Sequence, residues 1–307
     1  MKKFLLIFVV IILILVLYPS FLFWQAVGET RHIDGTHYVT IESNDSLKET
    51  ADKMVKENII LASQKKSFIF YSLIARQSKK IQPGKHYFGP DYTIADVVKG
   101  ITKKPIEEIK ITIPEGWSVK QIAEKLDQEE IIKKDILQNY SKDKEGYLFP
   151  DTYYFTKNTP PEDIVKKMTD NFTERTKELD INNQTVIIAS LIEREAKFDE
   201  DRAKVSAVIY NRLEKNMRLE FDSTVQYSIG SWDEITRHDL LTDSKYNTYI
   251  NFNLPPTPIC NPGLKSIEAA LSPAITNDLY FINSSDGKAY FAETKAEHEK
   301  NIKNYLK

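Results

Sequence analysis

Cysteine and histidine are scarce in this chain, and neither sign of charge is in large excess. A single cysteine, Cys260, among 307 residues excludes an intramolecular disulfide framework. The histidines show no ligand spacing such as H-x-x-x-H, so we expect no zinc site. A net charge of −2 provides no global basic field that would attract nucleic acid. The histidines are His32, His37, His86, His238 and His298.

Charge is missing altogether from one stretch near the N-terminus. No charged residue occurs between Lys3 and Glu29, and most residues between them are apolar. Because about 20 apolar residues can cross a bilayer, residues 4–24 predict a transmembrane helix, with Pro19 tolerated near its outer end. Two lysines precede this run and no basic residue follows it until Arg31, which places the N-terminus in the cytoplasm.

A cleaved secretory signal is the alternative interpretation of the same residues. No A-x-A-like cleavage site follows the run, which favours a retained anchor over residues 1–28. Under either interpretation the bulk of the chain is exported. We therefore expect a single-pass protein of the cell membrane whose remaining residues lie outside the cytoplasm.

Residues 36–105 are predicted to form a small module. Strand character at 37–41 and 84–88 brackets two helices, one after Ser46 and one over residues 67–76. Such a βααβ order resembles the LysM-like fold, which binds glycan chains, and a packed spacer without a ligand is the alternative. The buried face of the second helix is predicted to consist of Phe68, Tyr71, Leu73 and Ile74.

A connecting segment, residues 106–145, leads to a larger domain, residues 146–307. The connecting segment has a predicted strand at 109–113 and a helix that begins after Ser118. The larger domain mixes helices with a hairpin, so the fold class is α+β. Its predicted helices are 161–179, 184–197, 203–213, 264–271 and 294–306, and its hairpin strands are 279–282 and 289–292.

Two carboxylates, Glu193 and Glu195, end the most apolar of these helices. Solvation at a helix end is the usual fate of glutamate, but Glu195 follows apolar residues of one helix face, whereas Glu193 lies about 200° away. A carboxyl group on an apolar stripe loses solvent, so the pKa of Glu195 should rise, as a general acid at neutral pH requires. The apolar residues are Ile188, Leu191 and Ile192.

Several sequence blocks, in their order and spacing, resemble the endolytic murein transglycosylase family, also called the YceG-like family. The resemblance extends over most of residues 36–307 and includes the N-terminal anchor. The blocks are EGYLFPDT (145–152), ASLIERE (189–195), VIYNRL (208–213), MRL (217–219), DSTV (222–225), YNTY (246–249), LPP (254–256) and NPG (261–263).

The resemblance implies an enzyme that cleaves the MurNAc–GlcNAc bond inside nascent peptidoglycan strands and so ends their elongation. It implies that the second glutamate of the E-x-E pair, Glu195, is catalytic, and that no metal or cofactor is needed. Glu195 would protonate the bridging oxygen and then accept the proton of the sugar's own C6 hydroxyl, which leaves a 1,6-anhydro end. It also implies a LysM-like domain before the catalytic one and makes cell-wall synthesis proteins plausible partners.

Other residues of these blocks are candidates for substrate contact, although each also has an ordinary structural role. Three could form hydrogen bonds to the sugar or orient Glu195, three could stack on sugar rings, and Arg218 could bind a muropeptide carboxylate or pair with Glu220. The first three are Asn211, Asp222 and Asn247, and the stacking candidates are Tyr227, Tyr246 and Tyr249.

The sequence departs from the family pattern at two places. Thr257 and Pro258 follow the LPP block where a glycine is common, and Glu220 adds a carboxylate two residues before Asp222. The extra carboxylate keeps a hydrolase open as an alternative, with Glu195 as acid and Asp222 or Glu220 as second carboxylate. A non-catalytic wall-binding scaffold is the third hypothesis.

Overall fold

A computed structural model describes residues 17–33, 35, 37–105 and 107–306 of the chain. The contacts between residues divide the chain into two units, Met1–Glu107 and Glu108–Lys307. Helices and short antiparallel strand pairs occur in both units. The α+β class predicted from the sequence is therefore confirmed.

Most of the predicted membrane-spanning segment, residues 4–24, lies outside the described residues. Its end belongs to a helix, α1, described over residues 17–28. Within the described part of the chain, no helix combines the length and the apolar character needed to cross a bilayer.

In the first unit, strand β2 (His37–Ile41) is followed by helix α2 (Leu47–Lys56), helix α3 (Lys65–Ile74) and strand β3 (Gly84–Phe88). Strand β2 runs antiparallel to β3, with Val39 opposite His86, and the short strands β1 and β4 form a second pair. Val39 and Ile41 of β2 face the core while Thr40 between them is exposed, as the alternation of a half-buried strand requires. The bounds are Arg31–His32 (β1), His37–Ile41 (β2), Leu47–Lys56 (α2), Lys65–Ile74 (α3), Gly84–Phe88 (β3), Asp91–Tyr92 (β4) and Ile94–Ile101 (α4).

Helix α3 differs from its prediction in the face that it buries. Phe68 is fully buried, but Leu73 is 54% exposed and Ile74 is 46% exposed. Leu73 lies about 140° from Phe68 around the helix, because each residue advances about 100°. Since α3 packs against α2 and α4 through the side that carries Phe68 and Ser72, the prediction of Leu73 and Ile74 as buried residues was wrong.

The second unit contains two hydrophobic clusters. The first forms where β5, Ile109–Thr112, pairs antiparallel with β6, Thr152–Phe155, and three helices pack against the pair. Residues predicted as a connection therefore share a core with residues predicted as the larger domain, and the boundary at residue 146 stays a prediction. The helices are Val119–Gln128 (α5), Lys134–Ser141 (α6) and Pro161–Thr176 (α7).

The second cluster is centred on helix α8, Asn183–Glu195. Asn182 caps this helix, its side chain accepting a hydrogen bond from the backbone N–H of Thr185. Its central residues from Thr185 to Ile192 are buried, and it packs against α9, α10 and α11. The remaining elements are Asp199–Glu214 (α9), Asp222–Ile229 (α10), Leu264–Leu271 (α11), Tyr280–Asn283 (β7), Ala289–Ala292 (β8) and Lys295–Tyr305 (α12).

Candidate functional site

The last turn of α8 presents three consecutive side chains to three different surroundings. Glu193 faces the buried guanidinium of Arg202, and Arg194 lies 3.7 Å over the ring of Trp232. Glu195 faces an open cleft. Helical rotation of about 100° per residue makes this separation unavoidable. The E-x-E pair therefore does not converge on one substrate.

The cleft at Glu195 has a volume of about 520 Å³. Its walls come from the ends of α8 and α10, from strand β7 and from helix α12. A cavity of this size with several convergent polar groups is typical of a ligand site. The polar and charged residues lining it are Glu195, Arg212, Glu220, Asp222, Tyr249, Asn283, Lys295 and His298.

Glu195 is half-buried at the floor of this cleft. Its Oε1 accepts a hydrogen bond of 2.5 Å from the hydroxyl of Ser223, and its backbone carbonyl accepts one of 3.0 Å from the amide of Asn283. The pKa of Glu195 is raised to about 7, mainly by burial; the Ser223 hydrogen bond opposes this rise, and the nearby charge of Asp222 adds to it. A carboxyl group that titrates near neutrality and is reachable from a cleft can act as a general acid.

Asp222 lies beside Glu195 in the same cleft. It is the first residue of α10 and is exposed, and its Oδ1 accepts a hydrogen bond of 2.5 Å from the phenol of Tyr249. Burial and the hydrogen bond to Asp222 raise the pKa of Tyr249, so its phenol stays protonated and donates. The structure thus brings together three of the residues predicted from the sequence: Glu195, Asp222 and Tyr249.

Glu193 is buried and bonded to neighbouring elements of the fold. Its side chain is 7% exposed, its Oε1 lies 3.4 Å from Nη2 of Arg202, and its Oε2 accepts a hydrogen bond of 3.0 Å from the backbone N–H of Gly263. Arg202 also donates to the carbonyl of Ala196, directly after α8. Glu193 therefore connects α8 to α9 and to the NPG block.

A second, smaller cavity of about 270 Å³ is lined in part by Tyr227, Trp232 and the buried carboxyl group of Glu145. Glu145 accepts hydrogen bonds from the backbone N–H of Val119 at 3.0 Å, the amide of Asn261 at 3.1 Å and the phenol of Tyr227 at 3.2 Å. Burial raises the pKa of Glu145 to about 7 despite these bonds. The structure places Tyr227 in this cavity, with Tyr246 packed against it at 4.9 Å between ring centroids.

The other predicted contact residues have structural partners. The amide of Asn211 donates to the carbonyls of Thr276 and Asp278, both at 2.9 Å. Asn247 is fully buried, and its amide donates to two backbone carbonyls of the preceding loop. The guanidinium of Arg218 lies 4.8 Å over the ring of Phe252, while Glu220 is paired with Arg212 instead. Asn211, Asn247 and Arg218 are not among the residues lining the cleft at Glu195, whereas Glu220 and Arg212 are.

Sequence analysis missed two features of the cleft. Ser223 belongs to the DSTV block, but nothing in its spacing indicates a bond to a carboxylate 28 positions away. The wall formed by α12, with Lys295 and His298, was seen only as a closing helix. Among the residues that the structure describes, no cluster of His, Cys, Asp and Glu side chains could hold a metal ion.

Comparison with known proteins places this geometry in a family. The model of the YceG-like family matches residues 39–304. A protein of Bacillus subtilis named endolytic murein transglycosylase is 34% identical over 332 aligned positions, which cover 95% of this chain and 91% of that protein. A protein of Streptococcus pneumoniae with the same name is 29% identical over 69% of this chain, which spans about half of that longer protein, 48%.

Among solved structures, a YceG-like protein of Listeria monocytogenes is similar to this chain. The two share 30% sequence identity and superpose with a TM-score of 0.57. The match covers 86% of this chain and 98% of the Listeria chain.

Proposed function

The chain belongs to the YceG-like family, and on that basis we propose that it is an endolytic lytic transglycosylase that cleaves MurNAc–GlcNAc bonds inside peptidoglycan strands. The observation that carries this proposal is Glu195, a carboxyl group with a pKa near 7 at the floor of an open cleft. The relatives named endolytic murein transglycosylase support the substrate class.

The proposed reaction needs one acid. Protonated Glu195 donates its proton to the bridging oxygen as the glycosidic bond breaks, and charge develops at C1 of the MurNAc residue. The resulting carboxylate accepts the proton of that sugar's C6 hydroxyl, whose oxygen bonds to C1 and yields the 1,6-anhydro end. Because the attacking hydroxyl belongs to the same sugar, its effective concentration is high and no water is consumed.

Neighbouring residues assist Glu195 both when it donates its proton and when it is a carboxylate. The charge of Asp222 favours the protonated form of Glu195 before cleavage, and the hydroxyl of Ser223 stabilises the carboxylate that cleavage produces. Tyr249 holds Asp222 in position through its 2.5 Å hydrogen bond. Together with burial, which is the main cause, Asp222 and Ser223 set the pKa of the acid near 7.

Digestion of purified peptidoglycan, followed by mass analysis of the new chain ends, tests the proposal. Wild-type protein should yield anhydro ends, which lack one water relative to reducing ends, and Glu195→Gln should yield none while its melting temperature stays near that of the wild type. Glu200→Gln, an exposed carboxylate on α9, is the matched control and should cleave normally.

Other results of this digestion would select the alternatives. Reducing ends would indicate a hydrolase, for which Asp222 and Glu220 in the same cleft could supply the second carboxylate. No cleavage by the wild type would indicate a wall-binding scaffold. Full activity of Glu195→Gln would refute the assignment of the acid.

We further propose that residues 4–24 anchor the chain in the cell membrane, that the N-terminus is cytoplasmic, and that residues 36–105 form a LysM-like module. The order β2-α2-α3-β3 supports the module, and the apolar α1 supports the anchor. Anchoring would keep the cleft near the membrane, where synthesis proteins release new strands. Resistance to alkaline carbonate extraction tests the anchor, and digestion of the chain by protease added to intact spheroplasts tests its orientation.

A further inference from the structure

Helix α3 is apolar on two opposite faces. Phe68 faces the core of the first unit, yet Phe70 and Leu73, both 54% exposed, and Ile74, 46% exposed, face away from it. A helix that is apolar all round is ordinarily buried in a protein or in a membrane. In the described part of the chain, about half of each of these three side chains stays exposed.

The exposed residues form one continuous surface. Taking Lys66 as reference, positions 70, 73 and 74 lie within about 80° of it at 100° per residue. We call the surface of Phe70, Leu73 and Ile74 the α3 face, with Lys66 at its N-terminal end.

The segment that carries the α3 face contains charged residues of positive sign only. Residues 65–80, KKSFIFYSLIARQSKK, contain five lysines and arginines and no acidic residue. Of these five, Lys65 is paired with Asp52. Lys66 lies at the N-terminal end of the α3 face, and three more basic residues come after the C-terminal end of the helix: Arg76, Lys79 and Lys80. An apolar helix face flanked by basic residues is typical of segments that lie in the interface of an anionic bilayer.

Helix α1 gives the position of this face relative to the membrane. The ring of Phe23 packs edge-on against Phe70 at 5.1 Å, and Trp24 packs against Tyr71 at 6.1 Å. Phe23 and Trp24 end the predicted membrane-spanning segment. Whatever contacts them therefore lies at the level where that segment leaves the hydrocarbon layer.

The two helices also enclose an apolar groove open to the outside. Its volume is about 470 Å³, enough for part of a lipid acyl chain. The groove is continuous with the α3 face because Phe70 and Ile74 line it. The lining residues are Pro19, Ser20, Phe23, Trp24, Phe70 and Ile74.

We propose that the α3 face is a second membrane contact, which lies in the outer leaflet of an anionic phospholipid bilayer next to α1. A helix of this kind is expected to enter about 5–10 Å into the boundary between headgroups and acyl chains. The proposal rests on the proposed anchoring of residues 4–24. Its consequence is that the first unit cannot rotate freely on its anchor.

Site-specific depth measurement on the full chain tests this contact. Cys260 is fully buried and can be replaced in a Cys260→Ser background, so a single cysteine can be introduced and labelled with a fluorophore. Leu73→Cys reports on the α3 face. Thr40→Cys is the matched control, because Thr40 is exposed on the face of strand β2 that points away from the core. The labelled proteins are reconstituted into vesicles of zwitterionic and anionic phospholipids that carry nitroxides at known depths.

In vesicles with which the protein co-floats, the label at Leu73 should be quenched by nitroxides near the headgroups, and the label at Thr40 should not. The triple variant Lys66→Glu, Lys79→Glu and Lys80→Glu should reduce quenching at Leu73 in anionic vesicles more than in zwitterionic ones. Circular dichroism melting of each variant confirms that it is folded.

The other outcomes separate this proposal from that of the anchor. Co-flotation without quenching at Leu73 would overturn the α3 contact and leave the anchor standing. Failure to co-float would overturn both. A Leu73 label that is shielded from water but not quenched by lipid nitroxides would show that a second copy or another protein covers the face, which also overturns the proposal.

Discussion

The pKa of Glu195 offers the sharpest test of the proposed chemistry, because two neighbours act on it in opposite directions. The acid must be protonated, so cleavage should fall as pH rises through about 7. Ser223→Ala removes the hydrogen bond that stabilises the carboxylate, which should raise the pKa of Glu195 and keep the enzyme active at higher pH. Asp222→Asn removes a nearby negative charge, which should lower that pKa and move the falling limb to lower pH.

The size of the first effect follows from the 2.5 Å bond between Ser223 and Glu195. A hydrogen bond to a charged group contributes about 1.5–3 kcal/mol, and each pH unit corresponds to about 1.4 kcal/mol. The falling limb should therefore move upward by about one to two pH units in Ser223→Ala. At acidic pH the acid is protonated in both proteins, so a lower maximal rate of Ser223→Ala there reports the lost stabilisation of the carboxylate that cleavage produces.

The assay is the initial rate of release of anhydro ends from peptidoglycan across a pH series. Ser228→Ala is the control, since Ser228 lies on the same helix but donates to the carbonyl of Val225. We expect the falling limb of the pH profile to move to higher pH in Ser223→Ala and to lower pH in Asp222→Asn. Limbs that move together, or a Ser228→Ala shift as large as that of Ser223→Ala, would refute the reasoning.

Three further substitutions, with Gly89→Ala as a control, probe residues outside the cleft. Glu193→Gln should lower the free energy of unfolding by about 2 kcal/mol in urea titrations, since it removes the charge facing buried Arg202; unchanged stability would contradict the structural role of Glu193. Burial raises the pKa of Glu145 from 4.5 to about 7. The contribution of this carboxyl group to the free energy of unfolding is therefore complete below the pKa that it has in the unfolded chain, and it is lost as pH rises through 7. Glu145→Gln should therefore melt like the wild type in acid but gain roughly 3 kcal/mol over it near pH 8, and parallel pH profiles would count against this. Gly146→Ala should destabilise by about 2–4 kcal/mol in the same titrations, because Gly146 has a φ of +90° and an added Cβ would lie 2.5 Å from Cγ of Pro258. Gly89→Ala, where no described atom lies within 4 Å of the added Cβ, should change stability little.

Local sequence patterns were informative wherever the deciding interactions are close along the chain. Helix α8 was predicted over 184–197 and runs over Asn183–Glu195, because a long apolar stripe at helical spacing needs no distant partner to be recognised. The helical spacing also indicated that Glu195 lies on the apolar face of the helix and Glu193 does not. The rise expected for the pKa of Glu195 agrees with the structure, where burial is its main cause.

Helix α3 shows what local sequence patterns cannot predict. Its apolar residues were recognised, but periodicity does not say which side another element covers. Leu73 and Ile74 satisfied the helical pattern as well as Phe68 did, and only the packing of α2 and α4 distinguishes them. The same limit applies to Asn211, whose amide proved to be bonded to the segment before β7, 65 residues away.

The sequence alone determined that the chain has an uncharged N-terminal run, an apolar helix that ends in a carboxylate pair, and the ordered blocks of the YceG-like family. These properties depend on composition, on helical period and on residues adjacent along the chain. The tertiary structure decided that Ser223 and Asp222 lie beside Glu195, that Glu193 faces Arg202, and that α12 forms one wall of the cleft. Those contacts join residues on different helices, and they form only when burial of the shared core brings the helices together, so no local pattern encodes them.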